Sequence, residues 1–265
     1  MTVFDVWAKG KNVVSRHKLL ILIPLIVDLI LYGPLMTKSL MGPSIHIKLT
    51  VPSSLPSIAN LLPEASSLTT GPSDPVFMGI TAYPGTLMVG FLGVLITLVV
   101  IPYLKAGYLG TIAQDLKNTE PALSFTQLAR KYFVRLFILQ LLTIAAFLII
   151  TPLMMIPLIS AVVIIGMLIL IILLFFWDYS VVYDDLDIVT AFKKALGIFT
   201  GNFPVMAAVL LPIALLLLPL TAFTSVVMTT PAFIAVIALY AYIGAVLVSG
   251  FMYLYANLTG AVDLE

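Results

Sequence analysis

"YDDLDIVTAFKKALG" (183–197) decides how this chain is read. Three aspartates and two lysines stand together in a sequence that is 62% hydrophobic and only 9% charged. A soluble domain is nearer half apolar and a quarter charged. Too few charges are present to cover a water-facing surface, so the expected solvent is lipid. The stretch is then either a carboxylate cluster that holds a metal or the wet end of a membrane helix.

Local spacing favours the second. Asp187 stands where a helix N-cap belongs, directly before Ile188. Asp184 and Asp185 precede the helix's positive end, which favours anions, and Lys193 and Lys194 lie toward the other end. Ile188, Ala191, Phe192 and Ala195 form one face, suited to the headgroup boundary, and the lysines can reach anionic lipid. Under the metal reading, "DDLD" is half of an aspartate-rich motif that binds magnesium and a diphosphate. Intramembrane prenyl transferases need two such motifs. The other acids on this side, outside this region and the tails, are Asp115 and Glu120, with no third carboxylate beside them. A hard cation needs several converging oxygens. Capping is therefore the reading adopted, and no metal or cofactor is expected.

On either side of this stretch the chain is apolar. Spans are expected near 18–36, 86–104, 134–157, 160–178, 203–222 and 232–254, each near the ~20 residues that cross a bilayer. "TPLMMIPLIS" (151–160), with Pro152 and Pro157, is read as the tight turn between the third and fourth. The basic N-terminus and "LLILIPLIVDLILYG" (19–33) have the outline of a signal peptide. The long basic region, Asp28 and the lack of an A-x-A-like site make it a retained anchor.

Orientation follows from the basic residues. Lys9, Lys11, Arg16 and Lys18 precede the first span. Lys105, Lys117, Arg130, Lys131 and Arg135 lie between the second and third, and Lys193 and Lys194 between the fourth and fifth. Eleven of the 13 Lys and Arg residues thus fall on one side, with Lys38 and Lys48 on the other. The positive-inside rule puts both termini in the cytoplasm of a bacterial or archaeal cell membrane and the 37–85 loop outside. In that loop "SIHIKLTV" (44–51) alternates like a short strand. "SLPSIANLL" (54–62) has Leu55, Ile58, Leu61 and Leu62 at helical spacing, which fits a short helix on the outer surface or an ordered loop.

The inner side repeats. "LSFTQLARKYFVRL" (123–136) aligns with "LDIVTAFKKALGIF" (186–199): Ser124 meets Asp187, both cap residues, and Arg130 and Lys131 meet Lys193 and Lys194. Ser124 with Gln127 also fits a capping box. "TVFDVWAKGKNVVSRHKLL" (2–20) has the same character. The expected fold is all-α: a polytopic membrane protein of six transmembrane helices in three hairpins, each preceded by a cytoplasmic amphipathic helix, all within one membrane domain, 1–265.

"DYSVVYDDLDIVTAFKKALGIFTGNFPV" (178–205) resembles the segment after the fourth span in bacterial and archaeal six-span membrane proteins related to the membrane domain of some glycerophosphodiester phosphodiesterases. The shared features are Asp184, Asp185 and Asp187, then Ala191, then Gly201 and Asn202. "KAGYLGTIAQDLKNTEPALSFTQLARKYFVRL" (105–136) is similar to the family's earlier loop, with Gly107 and Gly110 ending the second span. The resemblance implies the six-span fold. It does not carry over the phosphodiesterase activity, because that domain is not attached here.

Asp28 is the candidate intramembrane polar site. A charged residue at such a depth is a functional candidate by default, costing roughly 2.5–3.5 kcal/mol on insertion scales. Tyr32 shares its face and Gln140 is the best remote partner by depth. Asp28 is read either as a proton or cation relay or as a fastener between helices, and the fastener is preferred. His17 and His46 lack ligand-spaced partners, so no metal ligand is assigned. The lack of cysteine excludes disulfides and thiolate chemistry, and a net charge of +1 gives no basic surface for nucleic acid. No nucleophile elbow, zinc helix or phosphate loop occurs. The function expected is that of a non-enzymatic, partner-binding component in transport or envelope homeostasis, its partners being the bilayer, anionic headgroups and a membrane protein or ATPase. The alternative is a small transporter moving a lipid or solute through the bundle.

Overall fold

Three helices begin with a side chain folded back onto their first free amides. The Thr2 hydroxyl accepts from the Asp5 amide at 3.3 Å while the Asp5 carboxylate accepts from the Thr2 amide at 2.6 Å. Ser124 and Gln127 form the same reciprocal pair, at 3.4 and 2.8 Å. Asp187 accepts from the amides of Val189 and Thr190, both at 3.1 Å. Each arrangement satisfies donors that a helix start otherwise leaves open. All three units of the sequence repeat thus open on a capped helix.

The computed structural model describes residues 2–32, 54–57, 96–153, 166, 173, 176–226 and 230–260. Among these, every regular element is helical: α1 (Val3–Arg16), α2 (Leu19–Tyr32), a π-helical turn (Ile96–Val100) leading into α3 (Ile101–Lys117), α4 (Phe125–Leu153), α5 (Ile188–Val226) and α6 (Thr230–Leu258). A further helical stretch covers 176–183. Among the described residues two helices are long and apolar enough to cross a membrane, Ile188–Leu217 and Ile234–Leu258, and Leu19–Ile30 is a shorter apolar one. The strand expected over 44–51 lies outside the described residues. Of the turn expected over 151–160, residues 151–153, with Pro152, continue α4 as helix, and the rest lies outside the described residues.

The chain divides into two units, Met1–Ala65 with Asn202–Glu265, and Ser66–Gly201. The division falls inside α5, where Asn202 leaves helical geometry at φ −122° and ψ 19°. Gly201 and Pro204 on either side of Asn202 make this the weakest point of the helix. The capped repeats therefore join their apolar halves in three ways. α1 stops at His17 before α2 starts, α5 bends at Asn202, and α4 runs through unbroken. "KYFVRLFILQ" (131–140) holds no glycine or proline to break it.

In the first unit, α6 is the hub. Ala241, Ala245 and Ser249 are fully buried along it. α1 crosses it through two glycines. A β-carbon on Gly10 would come within 1.9 Å of the Val246 carbonyl oxygen, and one on Gly250 within 2.3 Å of the Val6 oxygen. Val6, Gly10, Val13 and Val14 of α1 are buried on one face. In the second unit, α3 packs on α4. Gly107 makes room for the Phe125 ring and Gly110 for Leu128. Tyr103, Phe133 and Phe137 form a chain of rings 6.0 and 5.6 Å apart.

The face formed by Ile188, Ala191, Phe192 and Ala195 is not left open for headgroups. Ala191 and Ala195 are fully buried, and the Phe192 ring lies 4.8 Å from that of Trp177. The Trp177 indole N–H donates to the Ile188 carbonyl at 2.8 Å, which draws the α5 start onto the preceding helical stretch. An apolar helical face has the same sequence pattern whether protein or lipid covers it.

Candidate functional site

The opening aspartates form a set of ion pairs. Asp185 receives Lys131 at 2.7 Å and Arg135 at 2.6 Å, both from α4. Arg135 also donates to the Leu186 carbonyl at 3.3 Å. Asp184 receives Lys194 from α5 at 2.9 Å. Asp187 is committed to the cap. Asp185 has φ +56°, the left-handed region that asparagine and aspartate tolerate best after glycine. Before this corner, Lys117 donates to the Tyr183 carbonyl and sits 4.4 Å over its ring. The site's chemistry is that of a clamp: each carboxylate ties a separate piece of chain to the turn at 184–187.

Of the four residues expected at lipid headgroups, Lys131 and Lys194 are occupied by these aspartates. Arg130 and Lys193 are exposed. Ser124 and Asp187 cap their helices as read from the sequence.

Charge sets the clamp's pH range. Burial raises the Asp185 carboxyl, but the hydrogen bonds from Lys131 and Arg135 outweigh it and hold Asp185 below the usual carboxylate range. Hydrogen bonding to Asp185 raises Lys131. A depressed carboxylate stabilises above its unfolded value, ~3.9, and that support is lost as pH falls through the folded value. A raised lysine stabilises below its unfolded value, ~10.4, and that support is lost as pH rises through the folded one. The tie from α4 to the 184–187 turn is therefore expected to hold across the range between and to loosen in acid. Amide exchange at 186–190, followed from pH 6 down to pH 3, checks this. Asp185→Asn should speed exchange there at pH 6 while leaving α6 unchanged.

A second pair is buried more deeply. Lys105 of α3 meets Asp178 at 2.6 Å, with side chains only 17% and 7% exposed. Tyr108, Tyr179 and Ser180 around it are fully buried. The Tyr108 hydroxyl has no hydrogen-bond partner among the described residues. The sequence reading used Lys105 only for topology and did not single out Asp178. The available signal was one charge of each sign at matching ends of two expected spans.

Asp28 is fully buried in the first unit, where the Ser57 hydroxyl donates to it at 2.6 Å. Ser57 belongs to "SLPSIANLL", so its described part, 54–57, is neither helical nor on the surface: Ser54, Leu55 and Pro56 are buried. Of the two readings of this stretch, a short outer-surface helix or an ordered loop, residues 54–57 fit the loop, and they are buried instead of lying on the surface. Tyr32 ends α2, and its side chain lies outside the described residues. Gln140 is half-buried on α4 in the second unit. Asp28 thus has a partner that spacing along its own helix did not point to.

No protein-family model matches the chain, and no curated protein or solved structure matches it either.

Proposed function

We propose that the chain is an integral membrane protein of six spans in a bacterial or archaeal cell membrane, with both ends cytoplasmic. One face of α2 supports the bilayer setting. Leu19, Leu22, Ile26 and Ile30 are exposed, while Leu20, Pro24 and Asp28 turn inward. Val134, Ile138, Leu141 and Ile149 are exposed along α4. Continuous Leu, Ile and Val faces of this kind suit hydrocarbon.

Within the membrane the protein acts as a non-enzymatic, partner-binding component in transport or envelope homeostasis. The observation that carries this reading is how its glycines are used. Gly10, Gly107, Gly110, Gly244 and Gly250 are each crowded by another part of the chain. Gly166, Gly197 and Gly201 have nothing within 4 Å among the described residues, and of these Gly197 is exposed on α5 away from the bend at Asn202. A helical glycine costs about 1 kcal/mol relative to alanine. Among the described residues no contact at Gly197 calls for it, whereas a second helix could approach closely there. The partner is thus a membrane helix, belonging to a transport protein or ATPase complex, with Arg130 and Lys193 left to anionic headgroups. Purified from its own membrane in mild detergent, the protein should run larger than its 28.7 kDa chain. Gly197→Leu should reduce it to the single chain with unchanged helicity. A bare wild-type monomer, or a complex that survives Gly197→Leu, sinks this reading.

The buried carboxylate of Asp28 favours a second reading, a small transporter for a lipid or solute. Asp28→Asn separates the two. For a fastener the change should be nearly neutral, since the amide keeps an acceptor for Ser57. For a proton or cation relay it should abolish the supported growth or transport while the fold persists.

A further inference from the structure

Residues 54–57 sit against two helices of the first unit. Ser57 donates to Asp28 of α2 at 2.6 Å. Pro56 lies against α6, where a β-carbon on Gly244 would come within 2.5 Å of its ring. Ser54 and Leu55 are only 4% and 7% exposed.

The depth of this contact can be measured along each helix separately. Lys18 is exposed at the start of α2. Asp28 is ten residues further, about 15 Å at 1.5 Å per residue. On α6, Lys9 lies 5.4 Å over the Tyr253 ring, which marks the charged boundary on that helix. Gly244 is nine residues before Tyr253, about 14 Å away. Half of a hydrocarbon layer is about 15 Å. Both rulers put Pro56 and Ser57 near the midplane. The chain leaves α2 at Tyr32, beyond Asp28, and is back at the level of Asp28 by Ser57.

We propose that residues 54–57 form a re-entrant wedge: the outer loop enters the bundle, reaches the midplane against α2 and α6, and is held there by Asp28 as its catch. The inference rests on the membrane reading above. Non-helical backbone at this depth is tolerated only where protein covers it or a cavity solvates it. Burial of Ser54, Leu55 and Pro56 meets the first condition. Pro56 brings no backbone N–H that needs a partner, and Gly244 supplies the notch that its ring fills. The wedge also accounts for a carboxylate at this position. Asp28 ties a piece of non-helical loop to α2. With the catch gone, the segment is free to withdraw outward, and Asp28 becomes reachable from the outer side.

Ser54→Cys is a clean probe in a chain without cysteine. In sealed right-side-out vesicles, a membrane-impermeant maleimide should label it at least tenfold more slowly than it labels the denatured protein. Adding Ser57→Ala removes the donor without touching α2 and should raise the rate at least tenfold. Adding Gly244→Val instead pushes on Pro56 and should do the same. Gel filtration of each variant confirms that the folded protein is being read. Asp28→Asn, which retains an acceptor, should keep the protection. Fast labelling of Ser54→Cys alone, or protection that survives either added change, overturns the wedge. Lys11→Cys in the same vesicles tests the membrane reading by itself: labelling there by the impermeant reagent overturns the topology, whatever the wedge does.

Discussion

Asp178→Ala is expected to leave little folded protein. The change strands the Lys105 ammonium in a site where its side chain is 17% exposed and its counter-ion stood 2.6 Å away. Removing one partner of a buried pair costs about 3–5 kcal/mol, because the remaining charge loses its compensation without regaining water. A domain's whole stability is about 5–15 kcal/mol. The pair as a unit is another matter. Replacing both members with apolar groups of similar volume is often neutral, so Lys105→Met with Asp178→Leu should recover most of the loss. The check is the monodisperse fraction after a heating series in detergent, run on the wild type, both single variants and the double. An Asp178→Ala protein that melts within a few degrees of the wild type would falsify the view that this pair is a structural lock.

Gly10→Ala is expected to damage the fold, although alanine is the better helix former. The new β-carbon would sit 1.9 Å from the Val246 carbonyl oxygen, and that oxygen is backbone, so no side-chain rotation relieves the clash. Overpacking of this kind costs about 1–3 kcal/mol, and α1 must lift from α6 to accommodate it. Gly197→Ala, measured on the single chain without its partner, is the matched control, since among the described residues nothing lies within 4 Å of a β-carbon there. It should gain close to the ~1 kcal/mol difference in helix propensity. Opposite signs for the same chemical change, read from melting temperatures, are the expected result. A stabilised Gly10→Ala protein would mean that the crossing of α1 over α6 is looser than its geometry.

What the sequence made legible is local. Ser124 with Gln127 and Asp187 before Ile188 specify caps within four residues, and the structure has them at those residues. The all-helical class was legible for the same reason, since apolar runs of this length carry their own hydrogen bonding. Contacts between distant residues were harder to read. Lys105 and Asp178 lie far apart in the chain, and each looks like an ordinary charge at the end of an apolar run. Asp28 was matched to Tyr32 by helical spacing and to Gln140 by depth. Ser57, which donates to Asp28, comes from a stretch whose apolar spacing fitted either an outer-surface helix or an ordered loop. Spacing reports which side chains share a face, but not which distant segment comes to cover it. The same gap explains why the apolar face of the α5 start looked ready for headgroups, when Trp177 lies against it.

The contact between α1 and α6 has a consequence for synthesis. Its unit is discontinuous, made of Met1–Ala65 and Asn202–Glu265, whereas Ser66–Gly201 is one uninterrupted stretch. A ribosome delivers the chain in order. The uninterrupted stretch can begin to pack as it emerges, but Val6 and Gly10 have to wait for residues 246–250. Throughout that wait the first helix lacks the α6 side of its crossing at Val6 and Gly10. Lipid, a chaperone or the insertion machinery must shelter it until the last helix arrives. Ribosomes halted just short of α6 should therefore hold a nascent chain whose first helix is open to proteases, and a few dozen further residues should close it.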